Sequence, residues 1–278
     1  ILTGRSGVST DDQRTALQAL ENAGVKIEVF AADVSNAEEV TQLLAHTSNL
    51  RGVVHAAGVL DDGMLMHQSP KRFLKVAGPK VSGAWNLHIQ TKDLPLDFFV
   101  LFSSVASIIG SPGQSNYAAA NAFMDGLAHH RNHQGLVATS INWGPWSDVG
   151  MAASDVVLQR LMKDGWQPMN ASQGCDFIGH LLKVCKLAQA AVLPVDWRQF
   201  AASIPGAVNW NILSYLVSKE QLNPLLGNPA ELAAQRVNEA LPQNRVDHIC
   251  SYLMERIAQT LRVPAADLDE FAQLGDLG

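Results

Sequence analysis

Residues 98–123 read FFVLFSSVASIIGSPGQSNYAAANAF. The run 98–103 is short and largely apolar, which predicts a buried strand. The turn residues Gly110-Ser111-Pro112-Gly113 follow it, and the segment 116–135 then predicts a helix. A strand that leads into a helix in this way is typical of a parallel sheet with helices packed on its faces.

The chain on both sides of this stretch repeats the pattern. Further strands are predicted at 27–31, 52–56, 137–143 and 190–194. Helices are predicted at 11–23, 37–47, 79–91 and 172–187, with Thr10 as N-cap of the first and Ser35 or Asn36 as N-cap of the second. The opening Ile-Leu-Thr-Gly is interpreted as the end of a buried strand that runs into a turn. The sequence therefore predicts an α/β fold with a doubly wound parallel sheet.

The pattern changes near residue 200 and divides the chain. Residues 1–200 form the predicted α/β domain, whereas 201–243 contain several Pro and Gly turns and predict a linker. From residue 245 apolar residues again recur every three or four positions, which predicts a helix over 245–262 within a last segment, 244–278.

Composition disfavours several classes of protein. The 278 residues are 47% hydrophobic and 17% charged, with a net charge of −6 and no dense basic run, which argues against nucleic-acid binding. The sequence has no apolar run long enough to predict a membrane span. Three scattered cysteines predict neither a metal site nor a disulfide framework, and they suit a reducing cytoplasm.

Four side chains form the strongest chemical pattern: Lys80, Ser104, Tyr117 and Asn121. Ser104 follows the strand 98–103, while Tyr117 and Asn121 are four residues apart and share one face of the predicted helix. A hydroxyl at a strand end can donate a hydrogen bond to a carbonyl oxygen while a phenol delivers a proton. The ammonium of Lys80 is expected to lower the pKa of Tyr117 from its usual value near 10.

The segments 102–104 and 110–123 resemble the active-site stretch of the ketoreductases of modular polyketide synthases, which belong to the short-chain dehydrogenase superfamily. The upstream Pro79-Lys80-Val81 matches the lysine-bearing helix of that family, and Asn121 stands where most other short-chain dehydrogenases carry a lysine. The resemblance covers about residues 1–200 and implies a Rossmann-like fold in which all four residues are catalytic.

The resemblance implies an activity and its partners. The reaction would be NADPH-dependent reduction of a β-ketoacyl thioester, carried on the phosphopantetheine of an acyl carrier protein, to a β-hydroxyacyl thioester during polyketide chain extension. Other domains of the same cytoplasmic synthase are the further partners implied. A reductase-like structural or docking subdomain without activity, and a free-standing short-chain dehydrogenase, are the alternative hypotheses.

The resemblance also implies a cofactor site at the strand ends. The implied NADPH contacts are Arg5, Ser6, Asp33, Val34, His55, Ala56, Ala57, Gly58, Lys80 and Tyr117. The family places the arginine against the adenosine 2′-phosphate. Judged from the residues alone, Arg5 could also be a surface side chain, Asp33 could cap the helix 37–47, and His55 fits a structural role better than a catalytic one. The glycine-rich loop that holds the pyrophosphate in the family, and the first strand before it, are missing from this sequence.

A second set of residues is implied in substrate binding and stereocontrol: Leu60, Asp61, Asp62, Pro112, Gln114, Asn116, Trp143, Gly150 and Met151. In the family a Leu-Asp-Asp at this point marks B-type ketoreductases, which form the D-(3R)-alcohol, although acidic pairs are also common in solvated turns. Residues 152–170 resemble the substrate lid, for which a packed apolar surface is the alternative. The segment 244–278 resembles the beginning of an acyl carrier protein domain.

Overall fold

The computed structural model describes residues 1–148, 155–184, 187–204, 210–213, 216, 237–238 and 244–261. This part of the chain contains two parallel sheets, in which β1 pairs with β2 and the other strands follow the order β3-β4-β5-β6. The strands are β1 (Leu2–Gly4), β2 (Val29–Ala31), β3 (Gly52–His55), β4 (Phe98–Ser104), β5 (Thr139–Trp143) and β6 (Gln189–Val192). Because neighbouring strands run parallel, their carboxyl ends lie at one edge of each sheet.

Helices connect the strands. They are α1 (Asp11–Asn22), α2 (Ala37–Ala45), α3 (Pro70–Ala77), α4 (Gly83–Thr91), α5 (Ala106–Ile109), α6 (Ser115–His133), α7 (Asp155–Lys163), α8 (Ala171–Val184), α9 (Trp197–Ser203) and α10 (Arg245–Leu261). A π-helical turn, Gly78–Ser82, joins α3 to α4 without a break. Thr10 caps α1 through a capping box with Gln13, and Asn36 rather than Ser35 caps α2.

Strand β4 is covered on both faces. On one face Phe99 and Leu101 pack with Met124 of α6, and on the other Val100 belongs to a cluster with Ile141 of β5 and Leu181 of α8. Alternate residues of a strand point to opposite faces, so a strand that is apolar throughout must be covered on both sides. The predicted α/β fold with parallel sheets is confirmed.

The chain divides into two compact units. The first, residues 1–158 and 168–194, contains both sheets; the second comprises 159–167 and 195–278. In the second unit Asp196 caps α9, and the ring of Phe200 packs edge-on against Trp166 with 5.3 Å between centroids. The helix predicted from residue 245 is confirmed as α10, while most of the predicted linker 201–243 lies outside the described residues.

Two predicted elements differ from the structure. The helix expected at 79–91 begins instead at Pro70, where Ser69 supplies the N-cap. Pro79 does not end this helix, because it lies in the π turn, where the regular hydrogen-bond pattern is already interrupted. Strand β1 is exposed rather than buried, with 48% of Leu2 accessible, since β2 is its one paired strand in the described part of the chain.

A buried carboxylate joins α6 to α5 and to β5. Asp125 accepts hydrogen bonds from Ser140 Oγ at 2.6 Å, Ser107 Oγ at 2.6 Å and Asn142 Nδ2 at 2.9 Å, and it is only 7% exposed. Asn142 Nδ2 also lies 3.1 Å from Ser103 Oγ. A buried charge is tolerated when several donors satisfy it, and here those donors come from two different elements, α5 and β5.

We expect Asp125→Ala to destabilise the protein by about 3 kcal/mol or more, because it leaves buried donors unsatisfied. Urea unfolding of the full-length protein measures the change. Glu21→Ala, at an exposed position of α1, is the control and should change stability by no more than about 0.5 kcal/mol. A loss of less than about 1 kcal/mol in Asp125→Ala would contradict a structural role for the buried carboxylate.

Candidate active site

Ser104 and Tyr117 meet at the carboxyl end of β4. Ser104 is the last residue of that strand, and Tyr117 lies in the first turn of α6. The Tyr117 ring is buried in a small apolar cluster with Val76, Ala106 and Ala120. The hydroxyl of Ser104 accepts a hydrogen bond from the backbone N–H of Ala106 at 3.2 Å, which orients its oxygen.

Lys80 reaches the same point from the π turn. Its ammonium donates to the carbonyl of Phe102 at 3.0 Å and lies 5.2 Å from the centre of the Tyr117 ring. Gly58 leaves room for it, because a Cβ at that position would come within 3.0 Å of the Lys80 Cε. Burial lowers the pKa of Lys80 to about 8, and the charge of Asp125 opposes this effect.

His55 supports the turn that carries Lys80. Its Nε2–H donates to the carbonyl of Pro79 at 2.9 Å, and the ring is 3% exposed. Burial lowers the pKa of His55 to about 4, and the charge of Lys80 acts in the same direction. His55 is therefore neutral at pH 7, in agreement with the structural role expected for it.

Asn121 lies one turn after Tyr117 and is fully buried. Its Nδ2 donates to the backbone carbonyl of Tyr117 at 2.8 Å, and its backbone carbonyl accepts from Ser103 Oγ at 3.3 Å. The side-chain oxygen of Asn121 has no hydrogen-bond donor among the described residues. A buried acceptor of this kind requires a donor, so the position suits a bound hydroxyl or water.

The pKa of Tyr117 differs from the sequence-based expectation. Burial raises it, the neighbouring Ser104 and Asn121 side chains act in the opposite direction, and the charge of Asp62 raises it further. The net lowering of the Tyr117 pKa expected from the sequence was wrong, because burial outweighs the effect of neighbouring groups. At neutral pH the phenol keeps its proton, as a proton donor must.

The predicted cofactor residues lie at strand ends. Arg5 and Ser6 follow β1 and are exposed, while Asp33 and Val34 follow the adjacent β2. Asp33 does not cap α2; its carboxylate accepts from the N–H and the hydroxyl of Ser35, and these hydrogen bonds, with a smaller contribution from Arg5, lower the pKa of Asp33. After β3 the small residues 56–58 leave the backbone open, as close approach of a cofactor requires.

The predicted stereocontrol residues divide into two groups. Leu60 packs against the cluster that contains Tyr117, Gln114 Nε2 donates to the Asp62 carboxylate at 2.9 Å, and Asn116 Nδ2 donates to the Asp61 carbonyl at 2.8 Å.

The other residues predicted for stereocontrol have no such contact with the Tyr117 cluster or with residues 61–62 among the described residues. Trp143 is 4% exposed and packs against the rings of Phe102 and Trp146, so it belongs to the core. Pro112 is exposed in the turn before α6, and Gly150 and Met151 lie outside the described residues, as does the beginning of the predicted lid.

Sequence reasoning missed two residues that bear on this site. Asp125 could have been found, because it continues the polar spacing of Tyr117 and Asn121 at intervals of four along the buried face of α6. Arg72, which pairs with Asp61 at 2.7 Å, lies in the part of helix α3 that was not predicted. Within the described residues no cluster of His, Cys, Asp or Glu could hold a metal ion, and no helix there is both long and apolar enough to cross a membrane.

Comparison with known proteins finds polyketide synthases. Polyketide synthase GfsA of Streptomyces halstedii is 40% identical over 83% of this chain, which is 3% of that protein. The phenolphthiocerol synthesis polyketide synthase type I Pks15/1 of Mycobacterium bovis is 36% identical over the whole chain, which is 14% of its length. The chain thus spans only a small part of the curated relatives it matches.

Solved structures of ketoreductases share the fold. An A1-type ketoreductase superposes with a TM-score of 0.72 at 35% identity, covering 81% of this chain and 47% of that one. The ketoreductase from the first module of phoslactomycin biosynthesis in Streptomyces sp. HK803 gives 0.73 at 30% identity, covering 78% and 51%.

The KR domain family matches residues 1–148, which contain Lys80, Ser104, Tyr117 and Asn121. That match spans more than half of the chain and agrees with the relatives and with the solved structures. The chain therefore belongs to the ketoreductase domain family of modular type I polyketide synthases.

Proposed function

We propose that this chain reduces a carrier-bound β-ketoacyl thioester to the β-hydroxyacyl thioester, using NADPH. The observation that carries the proposal is the convergence of Lys80, Ser104 and Tyr117 at the end of β4, with the ammonium 5.2 Å from the phenol ring. The apolar cluster around the Tyr117 ring requires neither the ammonium of Lys80 nor the hydroxyl of Ser104, which argues against a purely structural subdomain.

Each residue has a chemical task in the proposed reaction. The carbonyl carbon would receive a hydride from the nicotinamide when the cofactor is bound. Ser104 donates a hydrogen bond to the ketone oxygen, and Tyr117 transfers its proton to that oxygen as the alkoxide forms. The phenolate left behind is stabilised by the charge of Lys80, and the Asn121 side-chain oxygen accepts a hydrogen bond from the water that returns a proton.

The cofactor proposed is the phosphorylated nicotinamide dinucleotide. Arg5 follows β1 at the sheet edge where the carboxyl ends of β1 and β2 meet, and its side chain is exposed. A guanidinium there suits a 2′-phosphate, because its planar fork pairs with two phosphate oxygens. His55, Ala56, Ala57 and Gly58, with Lys80 and Tyr117, would line the nicotinamide half.

The alcohol proposed is the D-(3R) product. The support is the Leu60-Asp61-Asp62 sequence and the hydrogen bonds that Gln114 and Asn116, just before Tyr117, donate to it. Solved relatives include A-type and C2-type ketoreductases, so likeness of fold does not distinguish the types. The proposal of an acyl carrier protein as partner depends on the resemblance of the segment 244–278 to the beginning of such a domain.

We expect Tyr117→Phe to lower kcat by a factor of about 100 or more, because the positioned proton donor is lost. The measurement is NADPH oxidation by the full-length protein with a β-ketoacyl thioester, with product analysis. Tyr252→Phe in α10 removes the same hydroxyl at another helix position and should retain full activity. A folded wild-type protein without turnover would favour the inactive structural subdomain.

The charge of Lys80 should appear in the pH dependence. With its pKa lowered to about 8, Lys80 is protonated below that pH and neutral above it. We therefore expect kcat/KM to fall as pH rises through about 8. The Lys80→Met variant should have a low kcat/KM that does not decrease as pH rises through about 8. A wild-type kcat/KM that is unchanged up to pH about 9.5 would contradict the role given to the ammonium.

Arg5→Ala should raise the KM for NADPH about tenfold or more and leave the KM for NADH nearly unchanged, since a phosphate contact is lost. Steady-state kinetics with each cofactor measure the ratio. Arg14→Ala, which removes an exposed arginine paired only with Asp11 of its own helix, is the matched control. Equal changes for both cofactors would overturn the assignment of Arg5.

A further inference from the structure

The loop 60–68 between β3 and α3 has little apolar support of its own. Met64, Leu65 and Met66 are 49%, 74% and 79% exposed, so their side chains do not anchor the loop to the core. Leu60 is the exception, because it packs with the cluster around Tyr117. Polar contacts must therefore determine the conformation of the rest of the loop.

Arg72 makes most of these contacts from the α3 side. Its Nε donates to the Asp61 carboxylate at 2.8 Å, Nη2 lies 2.7 Å from the same carboxylate, and Nη2 also donates to the Asp62 carbonyl. Its Nη1 lies 3.3 Å from the carbonyl of His67. One guanidinium thus contacts the loop near its beginning and near its end.

The other side of the loop is attached to the segment that leads into α6. The Asp61 carbonyl accepts from Asn116 Nδ2 at 2.8 Å, and the Gly63 N–H donates to the carbonyl of Gly113 at 2.8 Å. Asn116 is 1% exposed, and its side-chain oxygen accepts from the backbone N–H of Tyr117 at 2.8 Å. Asp61 is therefore held through its carboxylate by α3 and through its carbonyl by the residue before Tyr117.

The shape of the loop matches the guanidinium. A Cβ at Gly63 would lie 2.5 Å from Arg72 Nη1, so only glycine leaves space for the arginine at this distance. Lysine could not replace it, because a single ammonium cannot reach the carboxylate and two carbonyls at once. Lys75 also pairs with Asp61, at 3.0 Å, but its side chain is 59% exposed, and its described polar contact is with that carboxylate alone.

We propose that Arg72 is a positioning residue that holds the 60–68 loop against the N-terminal end of α6 and thereby determines which face of the ketone is presented at Tyr117. The proposal rests on the proposed reductase function. Leu60 and Asp62 are the loop residues that adjoin Tyr117, so a loop released from Arg72 changes the wall along which the acyl thioester lies. Proton donation by Tyr117 is left intact, because Arg72 has no described contact with Lys80, Ser104 or Tyr117.

The test compares Arg72→Met and Arg72→Lys with the matched control Lys75→Met, which removes a cation from the same carboxylate. In the full-length protein we expect both Arg72 variants to raise the fraction of the minor alcohol stereoisomer, and the KM for the thioester, by about tenfold. The value of kcat should stay within about threefold of the wild type, and the KM for NADPH should not change. Lys75→Met should resemble the wild type.

Two outcomes overturn the proposal: an unchanged stereoisomer ratio in folded Arg72→Met, or an equal change in Lys75→Met. Should Arg72→Met fail to fold, Gly63→Ala keeps the charge of Arg72 and displaces its guanidinium. We expect it to give the same loss of stereocontrol, and a wild-type product ratio in that folded variant would also overturn the proposal.

Hydrogen exchange separates this proposal from the proposed function. Amide exchange in residues 61–68 should be about tenfold faster in Arg72→Met than in Lys75→Met, whether or not the protein turns over substrate. If the wild-type protein has no activity but the two variants differ in exchange as expected, the reductase function is refuted and the positioning contact is retained. Equal exchange in the two variants would refute the positioning contact itself.

Discussion

The buried carboxylate of Asp125 is the contact on which the arrangement of this site depends. Its donors come from α5 and β5, and Asn142 of β5 also donates to Ser103 of β4, so the end of β4 cannot shift without disturbing hydrogen bonds around a buried charge. Ser104 lies at that strand end, and Tyr117 lies two turns before Asp125 on the same helix. The positions of the hydroxyl and the phenol are thus supported by polar contacts beneath them, in addition to the hydrogen bond between the Ser104 and Tyr117 side chains.

Burial pushes the ionisable groups above this network toward their neutral forms. It raises the pKa of Tyr117 and lowers those of Lys80 and His55. A neutral phenol and a neutral imidazole are what a proton-donating site at pH 7 requires, while Lys80, with a pKa of about 8, remains mostly charged. The desolvation that excludes water also strengthens the attraction between that ammonium and a developing phenolate.

The sequence allowed prediction of the fold class and of the residues at the end of β4, because an apolar run and a four-residue spacing are local patterns. The start of α3 was missed because Pro79 was interpreted as a helix boundary, and Arg72 was missed with it. The raised pKa of Tyr117 depends on burial by residues distant in the chain, such as Val76, which no local pattern reports. The stereocontrol assignment of residues 60–62 stays a prediction.

The π-helical turn Gly78–Ser82 has a consequence for how the gene can vary. Each residue in a regular helix advances the next by about 100° around its axis. Loss of one residue between Gly78 and Ser82 would convert the turn to ordinary helix and change the direction in which Lys80 leaves the helix relative to Arg72 of α3. Substitutions in this segment other than at Lys80 can be absorbed one at a time, but a change in its length would move Lys80, so we expect few insertions and deletions here even where the other side chains vary.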